Sequence, residues 1–276
     1  MRLAISNITW DVSEDQVIAT LLKHFNIDAI DVAPGKYFSD IINTTDEEIA
    51  NVKNWWSQHG IEITGMQALL FGKTDLNIFT AKKSQDLMLD YLQAVCKIGS
   101  GLGAKKLVFG SPKNRNRDGL DDKEAIDIAT AFFHRLGDIA QLNDVLICLE
   151  PNPVCYKSNF MINSFDTLDV VKQVAHPAIK MQFDTGALII NNENPVSVLQ
   201  ECASFIGHVH ISEPNLVPLG DGNNDHINIS NSLKQFLPNQ LLTIEMLATK
   251  NESHELSIER AVNFAIKYYG NEKVGS

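Results

Sequence analysis

Short apolar segments alternate with stripes of apolar residues at helical spacing along the whole chain, and this alternation constrains the fold most strongly. Eight segments consist almost entirely of apolar or β-branched residues, which is typical of parallel strands buried on both faces. They span residues 2–6, 27–32, 61–69, 106–109, 145–149, 179–183, 206–211 and 241–246. A helix between consecutive strands would place all of them in one parallel sheet.

The segments between the strands carry apolar residues three and four positions apart, which predicts helices with one core-facing side. Gly270 is a stop signal for the last of these helices, and Thr44-Thr45 before Asp46 predicts the N-cap of another. Three stripes are formed by Met88, Tyr91, Leu92 and Val95; by Ala125, Ile128, Ala129, Phe132, Leu136, Ile139 and Ala140; and by Ile258, Ala261, Val262, Ala265, Tyr268 and Tyr269.

An eight-stranded parallel sheet can stay open as a doubly wound fold or close into a barrel. An open sheet of this kind usually carries a glycine-rich turn after its first strand, and here Ser6-Asn7-Ile8-Thr9-Trp10 contains no glycine. The chain has 276 residues, which suits one barrel of roughly 250 residues. No linker or low-complexity segment marks a boundary. The sequence therefore predicts an α/β protein with a single (β/α)₈ TIM-barrel domain over residues 1–276.

The formal net charge of −11 excludes some partners. Because an acidic chain repels phosphates, we expect neither nucleic acid nor an anionic membrane as a partner. The N-terminus runs directly into a strand, and no apolar segment reaches the length of a membrane span. Four scattered cysteines form no Cys-x-x-Cys pair, and three of them fall in or beside apolar segments. We therefore expect a cytoplasmic protein whose cysteines are reduced.

Four consecutive strands end in a residue that can bind a metal ion: Glu150, Asp184, His210 and Glu245. The C-terminal strand ends of a TIM barrel meet at its mouth, where three unpaired carboxylates would repel one another. A divalent cation removes that objection. Carboxylates with one imidazole suit Mn²⁺, Mg²⁺ or Co²⁺, and Zn²⁺ is the alternative. His208 and His210 alternate on one strand, and we expect only one of them to face the barrel interior.

The motifs at the strand ends resemble those of the sugar phosphate isomerase/epimerase family, whose members have xylose isomerase-like barrels. The resemblance covers nearly the whole chain. It rests on GMQALLFG at 65–72, FGSP at 109–112, LEP at 149–151, FDTG at 183–186, HVHISE at 208–213 and IE at 244–245. It implies one divalent metal ion held by Glu150, Asp184, His210 and Glu245.

The resemblance also implies a reaction. A metal-bound hydroxy-ketone loses a C–H proton to give an enediolate, with Glu150 and Glu245 as the catalytic acid–base pair. The chain departs from the ketose 3-epimerases at two places. Ala187 stands where they usually have a histidine, and residues 214–216 (PNL) stand where they have an arginine.

The predicted substrate is a carbohydrate or related hydroxy-ketone, free or phosphorylated. The candidate substrate-binding residues are Gln67, Lys113, Arg115, Asn152 and Glu213, of which Lys113 and Arg115 would clamp an anionic group. Glu213 has a second interpretation, the orientation of His210. Isomerase and epimerase outcomes stay open. So do a metal-dependent dehydratase on the same site and assembly as a homo-oligomer. The net charge, and eight histidines that do not fall at the strand ends a zinc cluster requires, argue against an abasic-site endonuclease. The four intact ligands argue against a non-catalytic barrel.

Overall fold

The computed structural model describes residues 1–270 of the chain. Eight parallel strands pair in sequence order, and the last pairs with the first to close a barrel. The predicted (β/α)₈ TIM barrel is therefore confirmed, while residues 271–276 of the predicted domain lie outside the described part. The strands are β1 Leu3–Ser6, β2 Ala29–Val32, β3 Glu62–Met66, β4 Lys106–Phe109, β5 Leu146–Leu149, β6 Ile179–Asp184, β7 Ile206–Ser212 and β8 Leu242–Glu245.

Helices surround the barrel. Each outer helix from α2 to α5 packs on the next, and α5, α7, α8, α9 and α1 continue the ring. The short α6 follows β6 directly, beside the barrel mouth. The helices are α1 Asp15–His24, α2 Asp46–Gln58, α3 Lys82–Leu102, α4 Asp122–Leu142, α5 Ser164–Val174, α6 Thr185–Ile190, α7 Pro195–Cys202, α8 His226–Phe236 and α9 His254–Tyr269.

Local sequence signals set several helix ends as predicted. Thr45 is the N-cap of α2, and its hydroxyl accepts a hydrogen bond from the Glu48 backbone N–H at 3.2 Å. The Glu48 carboxylate accepts in return from the Thr45 N–H at 2.8 Å, which completes a capping box. Gly270 caps the end of α9. The predicted helical stripes provide the buried faces of α3, α4 and α9.

The third strand is shorter than predicted, because it ends at Met66 instead of continuing to residue 69. Ala68 has a φ of 52°, in the left-handed region, which breaks the extended backbone after Gln67. The chain then runs out over the mouth of the barrel, where Leu69 and Leu70 become part of a cavity wall.

The burial of the cysteines agrees with the sequence interpretation. Cys96, Cys148 and Cys202 are buried, whereas Cys155 is exposed. Across residues 1–270, none of the helices combines the length and the apolar character that a membrane crossing requires.

Candidate metal and substrate site

The four predicted metal ligands converge at the C-terminal edge of the barrel. Asp184 and Glu245 end β6 and β8, His210 lies in β7, and Glu150 directly follows β5. The strand register pairs Asp184 with His210, which brings their side chains to the same level. One candidate ligand atom from each of the four side chains lies within 4.8 Å of the others. The strand ends thus place three carboxylates and one imidazole around a single point.

His210 lies at the centre of this group and is fully buried. Its Nδ1 is 3.5 Å from Glu150 Oε1 and 3.3 Å from Glu245 Oε2. Burial alone would lower the pKa of His210, but Glu245 and Glu150 raise it well above its usual value. Glu150 Oε1 has no hydrogen-bond partner within residues 1–270. An unpartnered carboxylate oxygen beside an imidazole nitrogen is available for a cation.

Asp184 is held in place by the start of the next helix. The Ala187 N–H donates to its Oδ1 at 2.6 Å, and the Ser212 hydroxyl donates to its Oδ2 at 2.9 Å. Burial, together with the charges of Glu245 and Glu150, raises the pKa of Asp184 to about 7. The raised pKa reflects repulsion among carboxylates that lie close together, and a divalent cation would reduce that repulsion. The donor set therefore fits a metal ion.

Each of the two glutamates is also tethered by a side-chain amide. Gln67 Nε2 donates to Glu245 Oε1 at 2.5 Å, and Asn152 Nδ2 donates to Glu150 Oε2 at 3.3 Å. These bonds leave the second oxygen of each carboxylate facing His210. The tethers fix the orientation of two groups that a proton-transfer reaction would need in defined positions.

Arg115 lies behind this site. Its side chain is completely buried, and Nη2 donates to Asn152 Oδ1 at 2.5 Å. Burial lowers the pKa of Arg115 to about 10, an effect that the nearby Glu150 opposes. Arg115 thus supports the Asn152 tether, whereas Lys113 is exposed and lines the cavity above. The structure does not bring the two cations together on one surface.

Glu213 lines the cavity and is held from below by α8 and its preceding loop. Its carboxylate contacts His226 Nε2 at 3.0 Å and accepts from Asn224 Nδ2 at 2.5 Å and from the Gly220 N–H at 3.0 Å. None of these bonds leads to His210. The structure gives Glu213 a role in holding the loop after β7.

The expectation that only one of the two histidines of β7 faces the barrel interior is wrong, because both do. Residues two apart on a strand point to the same face. His208 Nε2 lies 2.6 Å from Asp31 Oδ2 of β2, across the barrel from β7. His210 Nε2 lies 3.9 Å from the same oxygen. The buried Asp31 thus contacts His208 and lies near His210, beneath the ligand group. In the sequence, only its position near the end of β2 pointed to a role at this site.

A cavity of about 860 Å³ opens above the four ligands. Its polar floor includes Gln67, Glu150, Asn152, Asp184 and Glu245. Much of its wall is apolar: Ile8, Ala33, Leu69, Leu70, Val108, Phe109, Pro151, Pro153, Ala187, Leu216 and Leu247. A polar floor under apolar walls is typical of a small-molecule site.

The sequence matches the profile of the family described as xylose isomerase-like TIM barrel over residues 19–268. The chain therefore belongs to that family, as the motifs at the strand ends led us to expect. The comparison with curated protein sequences gave no match.

Several solved structures have a similar fold. D-psicose 3-epimerase with D-tagatose from Clostridium cellulolyticum H10 superposes with a TM-score of 0.82 and 16% identity, covering 98% of this chain and 100% of that chain. 3-keto-D-glucoside 4-epimerase from E. coli superposes with a TM-score of 0.76 and 15% identity, covering 95% of this chain and 99% of that chain. The IOLI protein with a bound zinc atom superposes with a TM-score of 0.77 and 16% identity, covering 98% of each chain. At these identities the likeness concerns the fold.

Proposed function

We propose that this chain is a divalent-metal-dependent isomerase or epimerase of a sugar, a sugar phosphate or a related hydroxy-ketone. The observation that carries the proposal is the convergence of Glu150, Asp184, His210 and Glu245 at the floor of a ligand-sized cavity. Structurally similar proteins that are named as sugar epimerases, and one with bound zinc, support it.

The four residues would hold the ion through three carboxylates and one imidazole. When bound, a divalent cation would neutralise the carboxylates and polarise two adjacent substrate oxygens, which acidifies the neighbouring C–H bond. Oxygen-rich donor sets with one nitrogen favour Mn²⁺, Mg²⁺ or Co²⁺, and Zn²⁺ tolerates the same set.

Glu150 and Glu245 are the proposed acid–base pair. They reach the site from β5 and β8, with Asp184 and His210 of β6 and β7 between them. One glutamate would remove the proton, and the other would return it to the carbon. The amides of Asn152 and Gln67 each donate a hydrogen bond to one of the two carboxylates and hold it in place.

Paired Glu→Gln variants test this assignment. After chelation and reloading with each metal, wild type is screened in D₂O against ketoses, ketose phosphates and cyclic polyol ketones by proton NMR. We expect one metal ion per chain and deuterium at the α-carbon. Glu150→Gln and Glu245→Gln should keep weakened metal binding and lose about 10²–10⁴-fold in turnover, because an amide cannot accept a proton. Near-wild-type turnover in both variants would exclude the two-carboxylate mechanism.

Metal stoichiometry needs a control, since a second group of possible ligands lies on the surface: Asp11, Glu14 and His254. His254→Ala should leave one metal ion per chain, because the proposed ion lies at the barrel mouth. Absence of stoichiometric metal in the reloaded wild type would overturn the proposal. Product analysis separates the remaining alternative, since a dehydratase would form a conjugated, ultraviolet-absorbing product.

A further inference from the structure

One side of the cavity is apolar down to the metal-ligand group. Ala187, whose backbone N–H donates to Asp184, lies in this wall. Leu247 follows Glu245 by two residues, and its N–H donates to the Leu216 carbonyl at 2.9 Å. The side chains of Ala187, Leu216 and Leu247, which we call the apolar wall, thus adjoin the proposed reaction centre.

One residue of the apolar wall has a strained backbone. Leu216 has a φ of 53° and the preceding Asn215 a φ of 61°. Leucine is rarely found in the left-handed region, and residues strained in this way occur mostly at functional positions. The Asn215 N–H donates to the Tyr156 hydroxyl at 2.8 Å, which ties the loop after β7 to the loop after β5. The two loops are therefore tied together, and Leu216 contributes an apolar side chain to the cavity lining.

Asn114 and Tyr156, two polar side chains that line the cavity, are already hydrogen-bonded within the protein. The Lys36 ammonium group is occupied by the backbone carbonyls of Asn7 and Trp10. Lys113 lines the cavity from an exposed turn after β4, whereas the apolar wall follows β6, β7 and β8. The volume of about 860 Å³ falls within the roughly 300–1,000 Å³ of pockets that hold drug-sized ligands. It leaves room for more than a monosaccharide.

We propose that the substrate is a hydroxy-ketone sugar that keeps an apolar substituent, such as a keto-glycoside with an aryl or alkyl aglycone. The hydroxy-ketone lies over Glu150, Asp184, His210 and Glu245, and the aglycone packs on the apolar wall. This inference rests on the proposed function, because the wall matters only if the floor binds the reacting end.

Two substrates with the same reacting group test the inference. Methyl and phenyl 3-keto-β-D-glucopyranoside differ only in the aglycone, and deuterium uptake beside their carbonyl is followed by NMR with metal-loaded protein. We expect kcat/KM for the phenyl glycoside to exceed that for the methyl glycoside by about 10- to 100-fold, the range in which an apolar pocket discriminates. Equal values would overturn the inference.

Leu216→Asn removes the apolar side chain and keeps a residue that tolerates positive φ, so the loop should keep its shape. The phenyl-to-methyl ratio should fall at least fivefold in this variant. The same substitution at Leu142, which is 87% exposed on α4, is the matched control and should leave the ratio unchanged. An unchanged ratio in Leu216→Asn would contradict the inference.

Free ketoses assayed in parallel separate the two proposals. Exchange with free ketoses but not with the phenyl glycoside would overturn the apolar-substituent inference and leave the proposed function intact. Stoichiometric metal without exchange of any hydroxy-ketone would overturn both.

Discussion

Adding one methyl group at Gly110 should disturb Glu150 without disturbing the barrel. A Cβ at Gly110 would lie 1.9 Å from Glu150 Oε2 and 3.0 Å from its carboxyl carbon. Carbon and oxygen in contact need a little over 3 Å, so the carboxylate must move by about 1 Å or more. Gly110 does not have a positive φ, so alanine fits the backbone there. The end of a glutamate side chain can yield, and the fold should therefore survive.

The displacement acts on the reaction instead. A catalytic group needs to stay within about 0.5 Å of its productive position, and a misplacement of 1 Å can cost about 10²-fold in rate. We expect Gly110→Ala to lose about 10²-fold in turnover and at least 10-fold in metal affinity, measured by NMR exchange and by calorimetric titration. The midpoint of urea unfolding of the metal-free protein should change little.

Gly35→Ala is the matched control, because Gly35 also lines the cavity but no atom lies within 4 Å of the point that an added methyl group would occupy. Its metal affinity and turnover should equal those of wild type. If Gly110→Ala binds metal and turns over like Gly35→Ala, then Glu150 does not lie against Gly110 in the working enzyme, and its role as ligand and base must be abandoned.

Three further changes test other parts of the site. Asp184→Ala should abolish stoichiometric metal, seen by elemental analysis, while the metal-free protein stays folded, because the carboxylate repulsion that it removes opposes the loss of the hydrogen bonds from Ala187 and Ser212. Asn152→Ala leaves the buried Arg115 without its hydrogen bond and should lower the free energy of unfolding in urea by about 1.5–3 kcal/mol. Burial would raise the pKa of Glu213, but the hydrogen bond from His226 and further donors hold it below 4.5. Its stabilisation is therefore full above pH 4.5 and is lost as the pH falls through the lower folded-state pKa; the stability difference from Glu213→Gln in urea should shrink over that range.

The residues at the strand ends were predictable from the sequence for a local reason. The apolar pattern of a strand and the free-energy cost of burying an unpaired charge both depend on neighbouring residues in the chain. An apolar run that stops at a carboxylate places that group at a barrel rim wherever the rest of the chain goes. Glu150, Asp184 and Glu245 obey this rule, whereas His210 lies two residues before the end of β7. The structure brings ligand atoms of all four within 4.8 Å of one another. The N-cap at Thr45 was predictable for the same reason, since a capping box spans only four residues.

Contacts between distant segments were not predictable in this way. Arg115 was expected to clamp an anionic group together with Lys113, because nothing in residues 113–115 shows that a short turn directs its side chain inward to Asn152. The partner of His208 is Asp31, 177 positions away, and only the closed barrel brings β2 and β7 face to face. Such pairs depend on closure, which no local pattern encodes.

The side chains of the cavity floor and those of its wall are therefore constrained by different contacts. The floor ligands lie at or near strand ends, and Ser212 and Gln67 of other segments also hold Asp184 and Glu245, so a change there disturbs several carboxylates that share one buried space. The wall residues Ala187 and Leu216 lie on a helix start and a loop, and their side chains make no hydrogen bonds that must be replaced. With this arrangement, the side chains of the wall can change while the proposed metal site is retained. The variants described above therefore test the wall and the floor separately.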